Sequence, residues 1–186
     1  MDHVNKMIAN FDCPINTFQQ AVIGAALCLS SSARFVSVVV GYGKGKSSCY
    51  FGVALYLAAK LKKKVLVLYA NKGLQKKDRE LLESMSTYCN TAYIGFDKLV
   101  RFEVGLKRPE NFKPDFVLLD ESDHLIFEKP LEFFKLMLKW NVGVVGFTAK
   151  EFVGDGLISE KDIFKAIGFV TLNTTTEEDR KLLSTD

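Results

Sequence analysis

The sequence predicts an α/β domain with a mostly parallel central sheet flanked by helices, and three observations support that prediction. The 186 residues are enough for one domain with its own core. Short apolar runs rich in Val, Ile, Leu and Phe alternate along the chain with longer segments of helical periodicity. These runs lack strict polar alternation, which is typical of strands buried on both faces of a parallel sheet. Alternation of strands and helices favours a doubly wound fold.

Six apolar runs are the predicted strands, at residues 35–40, 65–69, 91–94, 116–119, 142–147 and 169–172. The remaining segments predict helices over residues 21–29, 47–61, 74–85, 131–140 and 163–167. Pro130 fits the first turn of the fourth helix, whose apolar face is predicted to contain Phe134, Met137 and Leu138. Residues 1–176 are expected to form one domain, and the polar residues 177–186 a tail or a truncated linker.

Composition and charge argue against several classes of protein. The net charge of +3 is too small for electrostatics alone to give strong binding to nucleic acid, which is therefore the less expected partner. Four cysteines without a C-x-x-C pair and only two histidines argue against a zinc site or a disulfide framework. The N-terminus does not resemble a signal peptide, and no apolar run approaches the roughly 20 residues of a membrane span. We expect a cytoplasmic location, with peripheral attachment to a membrane left open.

A glycine-rich segment at residues 41–47, called the phosphate loop below, follows the first predicted strand and opens the second predicted helix. This context binds phosphate because glycines let backbone N–H groups converge and the helix adds its positive end. Val40 stands where the strict G-x-x-x-x-G-K-[ST] pattern has glycine, so the match is to the shorter G-x-G-K-[ST] core. Lys46 is expected to reach the β- and γ-phosphates, and the Ser47 hydroxyl to help hold Mg²⁺. A Gly/Lys-rich surface turn is the alternative. The predicted nucleotide-binding residues are Gly43, Lys44, Gly45, Lys46, Ser47 and Ser48.

An acidic segment, Asp120-Glu121-Ser122-Asp123, directly follows the fourth predicted strand. A carboxylate at the carboxyl end of a buried strand lies where ligands bind in sheets of this kind. Asp120 is expected to bind Mg²⁺ through water, and Glu121 to orient or polarise the attacking water. Together with Lys46, these two carboxylates are the predicted catalytic residues. A solvated acidic turn is the alternative, and His124 is best explained as a surface histidine.

Further segments complete a recognisable order of motifs. Gln19 and Gln20 precede the phosphate loop, and residues 67–78, 95–101 and 146–150 read V-L-Y-A-N-K-G-L-Q-K-K-D, G-F-D-K-L-V-R and G-F-T-A-K. In this order the segments resemble those of superfamily two helicases and, more closely, of the first nucleotide-binding lobe of the SecA preprotein translocase family. The similarity extends over about residues 18–174. The last segment is two residues shorter than its G-M-T-G-T-A-K counterpart in SecA.

The resemblance implies a single RecA-like P-loop domain of the DEAD-like type that binds ATP or ADP with Mg²⁺. Either Gln19 or Gln20 would read adenine through its amide, which is both donor and acceptor, and an ordinary helix-surface glutamine is the alternative. Thr148 and Ala149 would couple the nucleotide state to domain movement. Two departures from the family matter. Residues 122–146 are too few for the family's preprotein-crosslinking domain, and the sequence contains no second lobe.

The predicted function is a motor lobe that couples ATP binding and hydrolysis to movement of a polypeptide cargo. A second RecA-like lobe, in the same gene or in another chain, would have to complete the site, because in such motors the second lobe supplies arginines to the transition state. Turnover by this chain alone is therefore expected to be slow. Two alternatives are a degenerate, non-enzymatic interaction module of a larger assembly and a helicase-like lobe that acts on nucleic acid.

Overall fold

The computed structural model describes residues 16–73, 76, 80, 96–107, 109–122, 125–126, 130–149 and 169–177. Within them, strands alternate with helices along the chain. The strands are β1 (Phe35–Val39), β2 (Val65–Tyr69), β3 (Val100–Val104), β4 (Phe116–Asp120), β5 (Gly143–Thr148) and β6 (Phe169–Asn173). The helices are α1 (Thr17–Ser30), α2 (Lys46–Leu55), which continues into a π-helical turn at Tyr56–Lys60, α3 (Phe96–Leu99) and α4 (Pro130–Trp140).

The six strands form one sheet in the order β3-β2-β4-β5-β1-β6, and every pair of neighbours is parallel. The predicted α/β fold with a parallel central sheet is therefore confirmed. β5 lies between β1 and β4, so the strands that lead into the phosphate loop and the acidic segment are not neighbours. Val39 is paired with Thr148, and Asp120 with Phe147. The carboxyl ends of these three strands consequently lie at the same edge of the sheet.

The direction of the chain connections places helices on both faces of the sheet. From β1 the chain moves toward the β3 edge, whereas from β4 it moves toward the β6 edge. Parallel crossovers are almost always right-handed, so opposite directions put the connecting helices on opposite faces. Two buried clusters agree with this arrangement, since one joins α1 and α2 to the sheet and the other joins α4 to it. Val36 and Val38 of β1 belong to the first cluster, and Phe35 belongs to the second.

β3 is not among the predicted strands. Its sequence, V-R-F-E-V, alternates apolar with charged residues, whereas the prediction looked for continuous apolar runs. The sheet order explains the difference, because β3 is an edge strand and its residues after Val100 are only partly buried or exposed. Continuous apolar runs are needed only where a strand is covered on both faces.

The apolar face predicted for α4 is partly wrong. The side chain of Phe134 lies outside the described residues. Leu138 is 58% exposed, whereas Met137 is buried as predicted and shares the buried face with Phe133 and Trp140. The spacing of these three residues, by four and then three positions, is that of one helix face, with the ring of Phe133 edge-on to that of Phe35 at 5.9 Å. The start of α4 at Pro130 agrees with the sequence.

Other boundaries differ modestly or lie outside the described residues. α1 begins at Thr17, four residues before the predicted start, because Asn16 caps it. Of the predicted helix at residues 74–85, Lys76 and Glu80 are described, and both are helical. The strand at 91–94, the helix at 163–167, residues 178–186 and His124 lie outside the described residues.

Candidate functional site

The phosphate loop starts directly at the end of a buried strand. The N–H of Val40 donates to the carbonyl of Thr148 at 2.8 Å, so strand pairing continues through the position where the strict motif would have glycine. Gly43 and Gly45 then take positive φ values of 71° and 75°, a conformation that glycine adopts at little cost. Gly45 is the N-cap residue of α2 and provides no side-chain cap. The first-turn N–H groups of α2 are therefore left for a ligand.

Lys46 connects this loop to the acidic segment across the width of β5. Its Nζ lies 3.2 Å from Oδ1 of Asp120 and 4.0 Å from Oε1 of Glu121. The Asp120 side chain is 2% exposed, whereas those of Lys46 and Glu121 are 17% and 34% exposed. The structure thus brings together the three predicted catalytic residues. A nucleotide could replace each partner of this ion pair, because its phosphates could bind Lys46 and its cation could bind Asp120.

The burial of Asp120 follows from its place on β4. Leu118 points toward the α2 face of the sheet, and Asp120, two residues later, points the same way. Burial raises the pKa of Asp120 above its ordinary value, and the Lys46 ammonium opposes that rise. Because burial is the larger effect, keeping the Asp120 carboxylate ionised in this position costs stability.

Glu121 adopts a backbone conformation that is uncommon for its residue type. Its φ is +48°, in the left-handed region. Non-glycine residues in this region cost about 1–2 kcal/mol, and such strain tends to be found at functional sites. The turn leads the chain away from the sheet immediately after Asp120 and leaves the Glu121 carboxylate partly exposed beside Lys46.

Thr148 and Ala149 lie at the end of the strand between the loop and the carboxylates. Thr148 is buried, is paired with Val39, and accepts the hydrogen bond from Val40 through its carbonyl. Ala149 is half-buried. A displacement of the end of β5 would therefore also displace the start of the phosphate loop, through the hydrogen bond between Thr148 and Val40. Their coupling role stays a prediction.

The end of β6 contributes a contact that the sequence interpretation missed. Thr174 donates to the carbonyl of Val39 from both its N–H, at 3.0 Å, and its Oγ1, at 2.7 Å. The next residue, Thr175, has its methyl group 3.6 Å from the position a Cβ on Gly41 would occupy. These contacts hold the entry to the phosphate loop on its β6 side. The available signal was the polar run Asn173-Thr174-Thr175-Thr176, which begins at the last residue of β6.

The other predicted nucleotide-binding residues lie on the two helices that meet at the loop. Ser47 and Ser48 occupy the first turn of α2 and are half-buried. Gln19, in the first turn of α1, is buried with its amide nitrogen against Gly45, whereas Gln20 is half-buried. Lys44 is exposed, and its N–H donates to the Gly41 carbonyl at 3.3 Å.

The donor atoms present suit a magnesium ion that is held mainly by its nucleotide. Ser47 and Asp120 offer oxygen ligands, which Mg²⁺ prefers. Oδ1 of Asp120 is buried and makes the ion pair with Lys46 but no well-directed hydrogen bond to a described residue. No group of three or more His, Cys, Asp or Glu side chains among the described residues could hold a metal. That is compatible with Mg²⁺ in NTPases, which uses one or two carboxylates together with phosphates and water.

Asp120→Asn is expected to raise the melting temperature of the ligand-free protein at neutral pH, because asparagine need not be ionised in this buried position. The native state holds the Asp120 proton more tightly than the unfolded state does, since burial raises the native pKa above 3.8. Stability of the wild type therefore falls as pH rises from about this value through the native pKa, and the loss persists above it. The advantage of Asp120→Asn should thus disappear in acid. Thermal melts across pH would measure it.

The control for this variant is Asp115→Asn, at an exposed position where the side chain accepts from the Lys64 N–H and an asparagine oxygen can do the same. Little change is expected there. A lower melting temperature for Asp120→Asn at neutral pH would show that the ion pair with Lys46 outweighs the cost of burial.

Comparison with known proteins gives a structural match without a sequence match. No protein-family model and no curated protein matches the chain. The Sulfolobus solfataricus SWI2/SNF2 ATPase core in complex with dsDNA superposes with a TM-score of 0.63 at 9% identity, over 90% of this chain and 47% of that one. The UvsW helicase from bacteriophage T4 gives a TM-score of 0.59 at 12% identity, over 84% and 58%. A DEAD box protein from Methanococcus jannaschii gives 0.53 at 15% identity, over 84% and 49%.

These likenesses agree with a single RecA-like α/β domain. This chain spans about half the length of the matched chains, at 47%, 58% and 49%. The lobe fold agrees with the broader part of the resemblance seen in the sequence, while the specific likeness to SecA stays a prediction. No helix in the described part of the lobe has the length and apolar character needed to cross a membrane.

Proposed function

We propose that this chain binds ATP with Mg²⁺ at the carboxyl ends of β1 and β4, as one lobe of a two-lobe, ATP-driven motor. The observation that carries the proposal is the 3.2 Å ion pair between Lys46 and the buried Asp120. The ion pair links the N-terminus of α2, which follows a glycine-rich loop, to a carboxylate whose burial is costly. A surface turn without a ligand would require neither feature. Nucleotide phosphates and their cation would satisfy both partners at once.

Different residues are proposed to bind the phosphates, the Mg²⁺ ion and the attacking water. In the proposed complex, Lys46 turns from Asp120 to the β- and γ-phosphates, and the first-turn N–H groups of α2 donate to phosphate oxygens. Mg²⁺ would be held by Ser47 and Asp120 and would neutralise charge on the phosphates. Glu121, the more exposed carboxylate, is free to orient the attacking water and to accept its proton. Thr148 and Ala149 lie where they could transmit a change at the phosphates along β5.

Hydrolysis at this site is proposed to need groups from a second lobe. Two arginines are described, and both have other contacts. The Arg34 side chain donates to the carbonyl of Met137 at 3.2 Å, and the Arg101 guanidinium lies 6.0 Å from the centre of the Phe112 ring. An arginine supplied in trans is worth about 10³–10⁵ in rate in related NTPases.

The purified chain is therefore expected to bind ATP and ADP in the presence of Mg²⁺ but to release phosphate slowly. Isothermal titration calorimetry would measure binding, and a malachite-green assay would measure turnover. Fast hydrolysis by the chain alone would contradict the need for a second lobe. Absence of nucleotide binding would favour the alternative of a non-enzymatic interaction module.

Two cargo classes are compatible with such a lobe. A polypeptide cargo is supported by the order of the SecA-like sequence motifs and by the net charge of only +3. Nucleic acid is supported by the structural likeness to a SWI2/SNF2 core bound to dsDNA and to the UvsW helicase. Fluorescence anisotropy with labelled single-stranded RNA, duplex DNA and an unfolded polypeptide separates them. Binding to nucleic acid should fall steeply between about 50 and 200 mM salt, whereas polypeptide binding should not.

A further inference from the structure

The Gln19 side chain is fixed between the start of α1 and the phosphate loop. It is 8% exposed. Its Oε1 accepts a hydrogen bond from the Asn16 N–H at 3.0 Å, while Oδ1 of Asn16 accepts one from the Gln19 N–H at 2.9 Å. Together these bonds form a capping box for α1. A backbone N–H can only donate, so the Asn16 contact determines which end of the Gln19 amide is oxygen.

The nitrogen end of the same amide packs on the phosphate loop. A Cβ added to Gly45 would collide with Nε2 of Gln19 and would lie 3.4 Å from its Cδ. Gly45 has a φ of +75° and is the last loop residue before α2. Gln19 therefore occupies the space next to the residue whose conformation directs the first N–H groups of α2 toward a ligand.

Reading adenine would require Gln19 to give up both contacts. Recognition of the base uses the donor and the acceptor of one amide together. In this lobe the acceptor of Gln19 is bonded to Asn16 and its donor end lies against Gly45. Turning the amide toward a base would break the bond from the Asn16 N–H, which is one half of the capping box, and would leave the space beside Gly45 empty.

We infer that Gln19 is a positioning residue for the phosphate loop and does not read the nucleobase. The inference rests on the proposed nucleotide binding, and it removes Gln19 from the two glutamines, Gln19 and Gln20, that the sequence resemblance left as candidates for reading adenine. Selectivity among bases then does not depend on this residue, and the prediction of an adenine-reading glutamine passes to Gln20.

The test compares three ligands that share a triphosphate but differ in the base: ATP, GTP and inorganic tripolyphosphate, each titrated calorimetrically with Mg²⁺. Gln19→Ala is expected to weaken all three by the same factor, roughly five- to tenfold, because Gly45 loses the side chain that packs against it. The ratio of ATP to GTP affinity should stay at its wild-type value. A purely structural helix cap would not produce an equal loss for three ligands in a protein that is still folded.

Gln19→Glu separates helix capping from loop contact. Glutamate at this position still accepts from the Asn16 N–H, as in common capping boxes, so the melting temperature should stay near that of the wild type. Its second oxygen replaces Nε2 beside Gly45 and adds negative charge near the phosphates, so all three ligands should bind more weakly. Asn16→Ala is the matched control, because it removes one capping bond and leaves the Gln19 amide in place. It should lower the melting temperature without changing any of the three affinities.

The outcomes are distinct. Loss of ATP affinity alone, with GTP and tripolyphosphate unchanged, would show that Gln19 reads adenine and would overturn the inference. Wild-type affinity for all three ligands in both Gln19 variants would overturn it as well. If the wild type binds none of the three ligands, the proposed function fails instead, and that result is obtained before any variant is made.

Discussion

Replacing Lys46 with alanine is expected to weaken ATP binding by about 100-fold, because charged hydrogen bonds to phosphate contribute roughly 1.5–3 kcal/mol. The effect should be larger for ATP than for ADP, since the lysine is expected to contact the γ-phosphate as well as the β-phosphate. Calorimetric titration of both nucleotides would measure it. Lys63→Ala is a suitable control, because Lys63 is exposed and its described hydrogen bond to Leu57 is made by its backbone N–H.

The same variant has a second consequence in the ligand-free protein. Without Lys46, the buried carboxylate of Asp120 loses its 3.2 Å partner, and breaking a buried pair from one side is destabilising. Lys46→Ala should therefore unfold at a lower temperature than the wild type at neutral pH. Adding Asp120→Asn should recover most of that loss without restoring ATP affinity. If Lys46→Ala binds ATP as tightly as the wild type, the assignment of the phosphate loop is wrong.

Gly45→Ala is expected to damage both stability and nucleotide binding, and more severely than Gly43→Ala. Both glycines have positive φ, +75° and +71°, so alanine costs about 1–2 kcal/mol of backbone strain at either position. Nothing lies within 4 Å of a Cβ on Gly43, whereas a Cβ on Gly45 would collide with the amide of Gln19. Gly45→Ala must therefore also displace the Gln19 amide, the loop or α1.

The two glycine variants form a matched pair for chemical denaturation and ATP titration. The difference in unfolding free energy between them isolates the collision with Gln19, because strain is common to both. ATP affinity should fall by more than tenfold in Gly45→Ala, since misplaced N–H groups no longer converge on the phosphates. Equal effects at the two positions would mean that Gln19 moves aside at little cost, which would also weaken the case for Gln19 as a positioning residue.

The parts of the lobe that the sequence predicted well are those specified by neighbouring residues. The phosphate loop lies between a strand and a helix as predicted, and Asp120 follows from the apolar run before it, because both features depend on local composition. The proximity of Lys46 to the two carboxylates could also be anticipated, since parallel strands in one sheet end at a common edge.

Features that depend on tertiary neighbours could not be predicted in the same way. β3 lies at the edge of the sheet, where charged side chains such as those of Arg101 and Glu103 can reach solvent. These charged residues interrupt the apolar run, so a search for continuous apolar runs does not find the strand. The buried face of α4 packs in a cluster with residues of several strands, among them Phe35, whose ring meets that of Phe133, while Leu138 is left exposed. Thr174 donates a hydrogen bond to the carbonyl of Val39, which is 135 positions away in the sequence, and no local pattern specifies that partner.

The position of β5 between β1 and β4 sets the distance that a ligand must span between the phosphate loop and the two carboxylates. Neighbouring strands lie about 4.8 Å apart, so the loop strand and the carboxylate strand are separated by roughly 10 Å. The side chain of Lys46 reaches from α2 to Asp120 at the end of β4 and so crosses this distance. The gap is fixed by two ladders of backbone hydrogen bonds rather than by side chains. Substitutions in the loop can therefore change its charge or the direction of its N–H groups, but not the spacing of the two strands, and a ligand has to span that spacing to contact both sides.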